Sequence, residues 1–274
     1  MNDKMKNLLV RGLSGIGLIV LVPGAIWWER WSAIAVLVLM IIGGMWELFK
    51  MARKQGYAPQ TFLGLTIGVL PLACQLCGIG TMQTHLFLLT AIVVFMIGLP
   101  LMFVCELYRK SATPLANIGT TILGVIYVAM PLTLIYCIRE VDPILPIIFI
   151  AMVWANDVFA YLVGMTIGRH RLFERISPKK SWEGFFGGLL GSLGVAWLVA
   201  SNSDKGLLFW GGLAILVTVT AVLGDLVESM FKRSVDVKDS GAIIPGHGGV
   251  LDRFDALLIS APFVCLFLMY FYQL

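Results

Sequence analysis

The chain has 274 residues, of which 59% are hydrophobic and 13% charged, with a formal net charge of +4. An ordinary soluble domain carries about 25% charged residues and must show water a polar face, so this composition excludes a soluble globular fold and points to lipid. No basic run interleaved with aromatics is present, which excludes nucleic acid as a partner.

A helix that crosses the bilayer needs about 20 mostly apolar residues. Runs of that kind predict about nine spans, at 11–28, 32–50, 61–79, 85–105, 115–138, 143–168, 182–201, 206–230 and 256–273. The expected fold is therefore an all-α polytopic membrane protein. In the first span, Lys4, Lys6 and Arg11 precede an apolar run from Leu13, as in a signal peptide. No small-x-small cleavage site follows cleanly, and Trp27-Trp28 sits where an interfacial belt would lie. The run is read as a retained first helix. Only Glu29-Arg30-Trp31 separates it from the second span, which predicts a tight helical hairpin. Cys74-Gln75-Leu76-Cys77 has redox spacing, but it falls within a span and is assigned to packing.

Orientation follows from the basic residues, which favour the cytoplasmic side. With the N-terminus inside, the outside connections hold Arg30, Arg139 and Lys205. The remaining 17 of the 20 Lys and Arg fall inside, including Lys50, Arg53, Arg109, Lys179, Lys232 and Arg253. The reading is a multi-pass protein of the cytoplasmic (inner) membrane, one domain over 1–274. Residues 1–150 form apolar spans, and 151–274 form a catalytic part facing the cytoplasm.

Polar groups accumulate from Asn156-Asp157 onward. An ionisable side chain within a membrane is expensive and calls for a reason. Asp225 and Glu228 are three apart, so a helix would present both on one face. Asp252 and Asp255 repeat that spacing where the last span begins. Two such pairs could hold a hard divalent cation, since Mg²⁺ takes one or two carboxylates plus substrate phosphate oxygens. Between the pairs lie Lys232-Arg233, Lys238-Asp239 and Pro245-Gly246-His247-Gly248-Gly249. Glycines let backbone N–H groups approach an anion, and a helix N-terminus following Gly248 would favour negative charge. His247 is read as a phosphate donor. A second basic stretch, Ser177-Pro178-Lys179-Lys180-Ser181, enters the seventh span with Ser181 as a candidate helix cap. Carboxylates for metal, cations for phosphate and a glycine loop together describe a site for a metal–polyphosphate substrate.

The stretch from Ser229 to Asp255 has Ser, Lys232-Arg233, Lys238-Asp239, His247-Gly248-Gly249 and Asp252-Arg253-Phe254-Asp255 at fixed spacings. It closely resembles the signature of the phosphatidate cytidylyltransferases, also called CDP-diacylglycerol synthases. Ser177–Gly184 and Asn156-Asp157 also look like features of that family. The resemblance implies a reaction in which CTP and phosphatidic acid give CDP-diacylglycerol and pyrophosphate with Mg²⁺. In such an enzyme Asp225 and Asp252 would be the principal metal ligands, with Glu228 and Asp255 in support. Asp239 would ligate or orient Lys238. Lys232, Arg233, Lys238 and Arg253 would hold phosphates, and Lys179 and Ser181 would contact a substrate. An ion-coupled transporter with a cytoplasm-facing acidic site is the alternative from another class. The surrounding partners are membrane lipids, and the sequence leaves oligomeric state open, a homodimer included.

Overall fold

In the computed structural model, residues 17, 20–76, 84–241, 243 and 248–272 are described. In hydrocarbon every backbone N–H and C=O must be bonded internally, so the apolar runs fold as helices. Helical residues 20–28 (α1) are followed by α2 (Arg30–Lys54), α3 (Thr61–Leu76), α4 (Thr84–Arg109) and α5 (Pro114–Gly124). A π-helical turn (Val125–Ala129) joins α5 to α6 (Met130–Val141). Then come α7 (Leu145–Ile167), strands β1 (Arg171–Phe173) and β2 (Ser177–Ser181), α8 (Trp182–Ala200), α9 (Leu207–Ser234) and α10 (Leu251–Tyr272).

Seven helices among the described residues are long and apolar enough to cross a membrane, counting Pro114–Val141 as one, and α3 is shorter at 16 residues. Nine such spans are not seen among the described residues: of the first expected one only 17 and 20–28 are described, and the third is the short α3. A one-residue break at Glu29, with extended backbone, separates α1 from α2. Ser32 Oγ accepts from the Glu29 N–H at 3.2 Å and donates to the Ala25 carbonyl at 2.6 Å, pinning α1 to α2. The chain is thus a multi-pass membrane protein, with residues such as Leu89, Ile92 and Met96 of α4 left on the outer surface.

Two helix boundaries differ from the sequence expectation, and both matter for the site. The eighth expected span ended at 230, yet α9 continues to Ser234. The ninth was expected from 256, yet α10 begins at Leu251. Charged residues there are held by specific partners, so hydropathy alone misjudged both ends. The connection after α7 is a small antiparallel hairpin rather than a plain loop, with Arg171 opposite Ser181 and Phe173 opposite Ser177.

Alternation of the helices brings the C-terminal ends of α2, α4, α7 and α9 to the same end of the bundle as the N-terminal ends of α3, α5, α8 and α10. At Gly224 α9 packs so close to α10 that a Cβ would lie 2.6 Å from the Asp255 carbonyl oxygen. Any side chain there would push apart the two helices that carry the acids.

Candidate active site

Helical spacing places Asp225 and Glu228 on one face of α9, and the close approach at Gly224 sets Asp255 of α10 against them. Carboxylate oxygens from these three residues lie within 4.8 Å of one another. Asp225 pairs with Lys180 of β2 at 2.6 Å and accepts from Ser229 Oγ at 3.3 Å. Glu228 is fully buried and pairs with Lys232 one turn on. Its Oε1 has no hydrogen-bond partner. Asp255 Oδ1 accepts from the Ala256 N–H at 2.8 Å. Carboxylates crowded at this distance repel unless cations intervene, and hard oxygen donors in such number suit a divalent metal.

Asp252, expected as a principal ligand, is placed outside this triad. Its carboxylate accepts from Lys232 Nζ at 2.7 Å, the Ser240 N–H at 2.9 Å, Ser240 Oγ at 3.0 Å and the Gly249 N–H at 2.9 Å. It therefore ties both ends of the signature loop together and holds Lys232 against Glu228. Gly248 adopts φ +84° beside it, a left-handed conformation suited to glycine.

Glu47 of α2 was not anticipated. It is 1% exposed and accepts from Ser240 Oγ at 2.9 Å and from the Val250 and Leu251 N–H groups at 3.0 Å each. A Cβ at Gly249 would come within 2.4 Å of its carboxylate. The N-terminus of α10, expected to attract a substrate phosphate, is thus already occupied by the protein's own acid. The available signal was Glu47 itself, an acid inside an apolar run, which calls for a partner. Nothing local identified that partner.

A cavity of about 540 Å³ lies beside the triad between α7, α8, α9 and the hairpin. Its walls include Asn156, Asp157, Lys179, Lys180, Ser181 and Asp225. Sequence reasoning had singled out five of these, on the second basic stretch and the Asn-Asp pair, without a geometric reason to join them to Asp225. The hairpin supplies that reason by setting Lys180 against Val222 and Asp225 of α9. Asn156 Nδ2 donates to Asp157 Oδ1 at 3.3 Å, while the buried Asn156 Oδ1 has no partner. Ser181 caps α8 as expected, accepting from the Gly184 N–H at 3.1 Å. Glu183 reaches back to the hairpin, pairing with His170 Nδ1 at 2.6 Å and accepting from the Arg169 N–H at 3.1 Å.

The other nominated residues are not gathered at the cavity wall. Arg233, Lys238, Asp239 and Arg253 are exposed, and Arg233 donates to the Val237 carbonyl at 3.4 Å. His247 lies outside the described residues.

Comparison with known proteins bears on the whole chain. Residues 9–271 match the Cytidylyltransferase family. A phosphatidate cytidylyltransferase of Synechocystis is 32% identical over 272 residues, covering 87% of this chain and 89% of that protein. One of Bacillus subtilis is 38% identical over 167 residues, covering 59% of this chain and 62% of its own length. One of Staphylococcus epidermidis is 46% identical over 122 residues, 43% of this chain, so that the match spans about half (46%) of that relative. No feature of the fold or of these relatives supports the transporter alternative. A match across nearly every helix, including those that bring Glu47 and the acid triad together, shows that the chain belongs to the cytidylyltransferase family.

Proposed function

We propose that this protein transfers CMP from CTP to phosphatidic acid, giving CDP-diacylglycerol and pyrophosphate. The observation that carries the reading is the position of Asp225, which belongs both to the acid triad and to the wall of a lysine-bearing cavity. A metal-loving group and phosphate-binding cations thereby share one site. Asp225, Glu228 and Asp255 would hold Mg²⁺, and the unpartnered Glu228 Oε1 fits that role. Bound there, the ion would neutralise charge on the polyphosphate and leaving group.

The protein's own residues account for the rest. Lys179 and Lys180 would draw phosphate into the cavity, and Lys180 would exchange its pairing with Asp225 for a substrate oxygen. Lys232, fixed between Glu228 and Asp252, would hold a second phosphate. A phosphatidate oxygen attacks the α-phosphorus of CTP, and the bond to the β-phosphate bridging oxygen breaks, releasing pyrophosphate. The second pKa of a phosphomonoester is about 6, so the nucleophile is already an anion and needs no general base. Among the described residues, 14 Lys and Arg lie at the site end and only Arg30, Arg139 and Lys205 at the other, which favours a cytoplasmic placement in the cell membrane, where CTP is available.

The test is transfer by purified protein in detergent, given phosphatidic acid, Mg²⁺ and each of the four nucleoside triphosphates. Lipid-linked product and pyrophosphate in equal amounts from CTP, lost on chelation, is the expected result. Folded protein that makes no product from any nucleotide would overturn the reading.

A further inference from the structure

The run Pro114–Val141 is one continuous helix interrupted by the π-helical turn at Val125–Ala129, in which the Met130 N–H donates to the Val125 carbonyl five residues back. Pro131 follows at once. It has no N–H to offer the Tyr127 carbonyl four residues earlier, and its ring crowds that carbonyl, which is a local cause for the wider turn. A π turn inserts one residue into the helical phase, and one residue is about 100° of rotation. Such bulges are frequent at functional sites.

The residue at the centre of this turn is Tyr127. Its side chain is 6% exposed, and its hydroxyl has no hydrogen-bond partner. Its ring packs edge-on against Phe231 of α9, centroids 5.2 Å apart at 86°. Phe231 follows Glu228 by three residues on the same helical face. Buried hydroxyls almost always find a partner. Thr133 and Thr218 also lack one, but Tyr127 is the one whose ring packs against Phe231, a turn beyond Glu228 on α9.

We propose that Tyr127 is a substrate-contacting residue, its phenol donating a hydrogen bond to a non-bridging phosphate oxygen of the ligand gathered at Asp225, Glu228 and Asp255. This rests on the nucleotidyl-transfer reading, since it supplies the phosphate. The π turn aims a donor from the N-terminal half at a site otherwise built by the C-terminal half. The carboxylates of that site can only accept, and an O–H complements the cations by adding direction.

Tyr127→Phe keeps the ring and its contact with Phe231 while deleting the hydroxyl. A hydrogen bond to a charged group is worth roughly a 10- to 100-fold change, so kcat/KM for CTP should fall by about that factor. Without ligand, the thermal midpoint should be unchanged or higher, because an unpartnered buried hydroxyl has been removed. Activity within about threefold of wild type, or a loss matched by a lower ligand-free midpoint, overturns the proposal. If wild-type protein makes no product at all, the reaction is wrong and Tyr127 is judged by binding alone. Thermal stabilisation by Mg²⁺ with pyrophosphate should then be smaller in Tyr127→Phe than in wild type. Equal shifts, or none in either protein, overturn it.

Discussion

Two buried polar clusters lie at the same end of this bundle, and they are built in opposite ways. In the N-terminal half, Glu106 of α4 is 3% exposed. Its Oε1 accepts from Asn117 of α5 at 2.7 Å, and its Oε2 accepts from Gln60 at 2.7 Å and Arg109 at 2.8 Å. Gln60 also donates to the Met102 carbonyl at 2.9 Å. The carboxylate is saturated, and three helices are locked by it. In the C-terminal half, three carboxylates crowd within 4.8 Å, Glu228 Oε1 is unpartnered, and a cavity opens alongside. Both clusters carry the desolvation penalty of buried charge. The first recovers it fully within the protein, which marks it as structural, whereas the second does so only in part, through Lys180 and Lys232. The remainder, at Glu228 Oε1 above all, is left for a ligand to supply.

Substitutions should separate the two. The largest effect is expected for Asp225→Asn. Losing one preorganised electrostatic contact commonly lowers turnover by about 10²- to 10³-fold. Relief of repulsion within the triad should meanwhile leave the thermal midpoint unchanged or raised. Transfer assays and melting curves on the same preparation check both, and retention of more than about a tenth of wild-type activity would remove Asp225 from the site. Glu106→Ala should do the reverse. Removing one partner of a buried charge pair costs on the order of 3–5 kcal/mol, so the midpoint drops, while protein still folded at low temperature keeps near-normal turnover per molecule. If Glu106→Ala were instead inactive but stable, the contrast between the clusters would collapse.

Glu47→Gln falls between these extremes. Its amide would face N–H donors, and each donor left unpaired costs about 1–3 kcal/mol. Stability and turnover should fall together, because the start of α10 carries Asp252 and Asp255. The smallest effect is expected for Ser181→Ala, which removes a helix cap worth about 1 kcal/mol. A modest fall in midpoint checks the cap, and a much larger loss of turnover would show a direct substrate contact at this cavity wall.

The legible part of this molecule is local. Apolar run length gave the long helices, and the spacing of Asp225 and Glu228 placed both on one face. Ser181 ahead of an apolar run announced the α8 cap. What escaped needed partners distant in sequence. Asp252 has the same residue type and spacing as Asp255, yet it is claimed by Lys232, Ser240 and Gly249. Glu47 and Tyr127 lie in spans that read as apolar packing, and only tertiary contact distinguishes them. The π turn was hidden because Pro131 in an apolar run signals a helix disturbance without saying which face it will redirect.

Glu47 also sets a problem of timing. Its backbone partners Val250 and Leu251 lie 203 and 204 residues later in the chain. At roughly 5–20 residues per second of synthesis, α2 emerges about 10–40 s before the groups that will satisfy this carboxylate. Glu47 is seven residues from the Lys54 end of α2, roughly 10 Å at 1.5 Å per residue. During that interval the helix must ride shallow in the bilayer or remain sheltered by the insertion machinery. Its final depth is therefore reached only when the last span arrives.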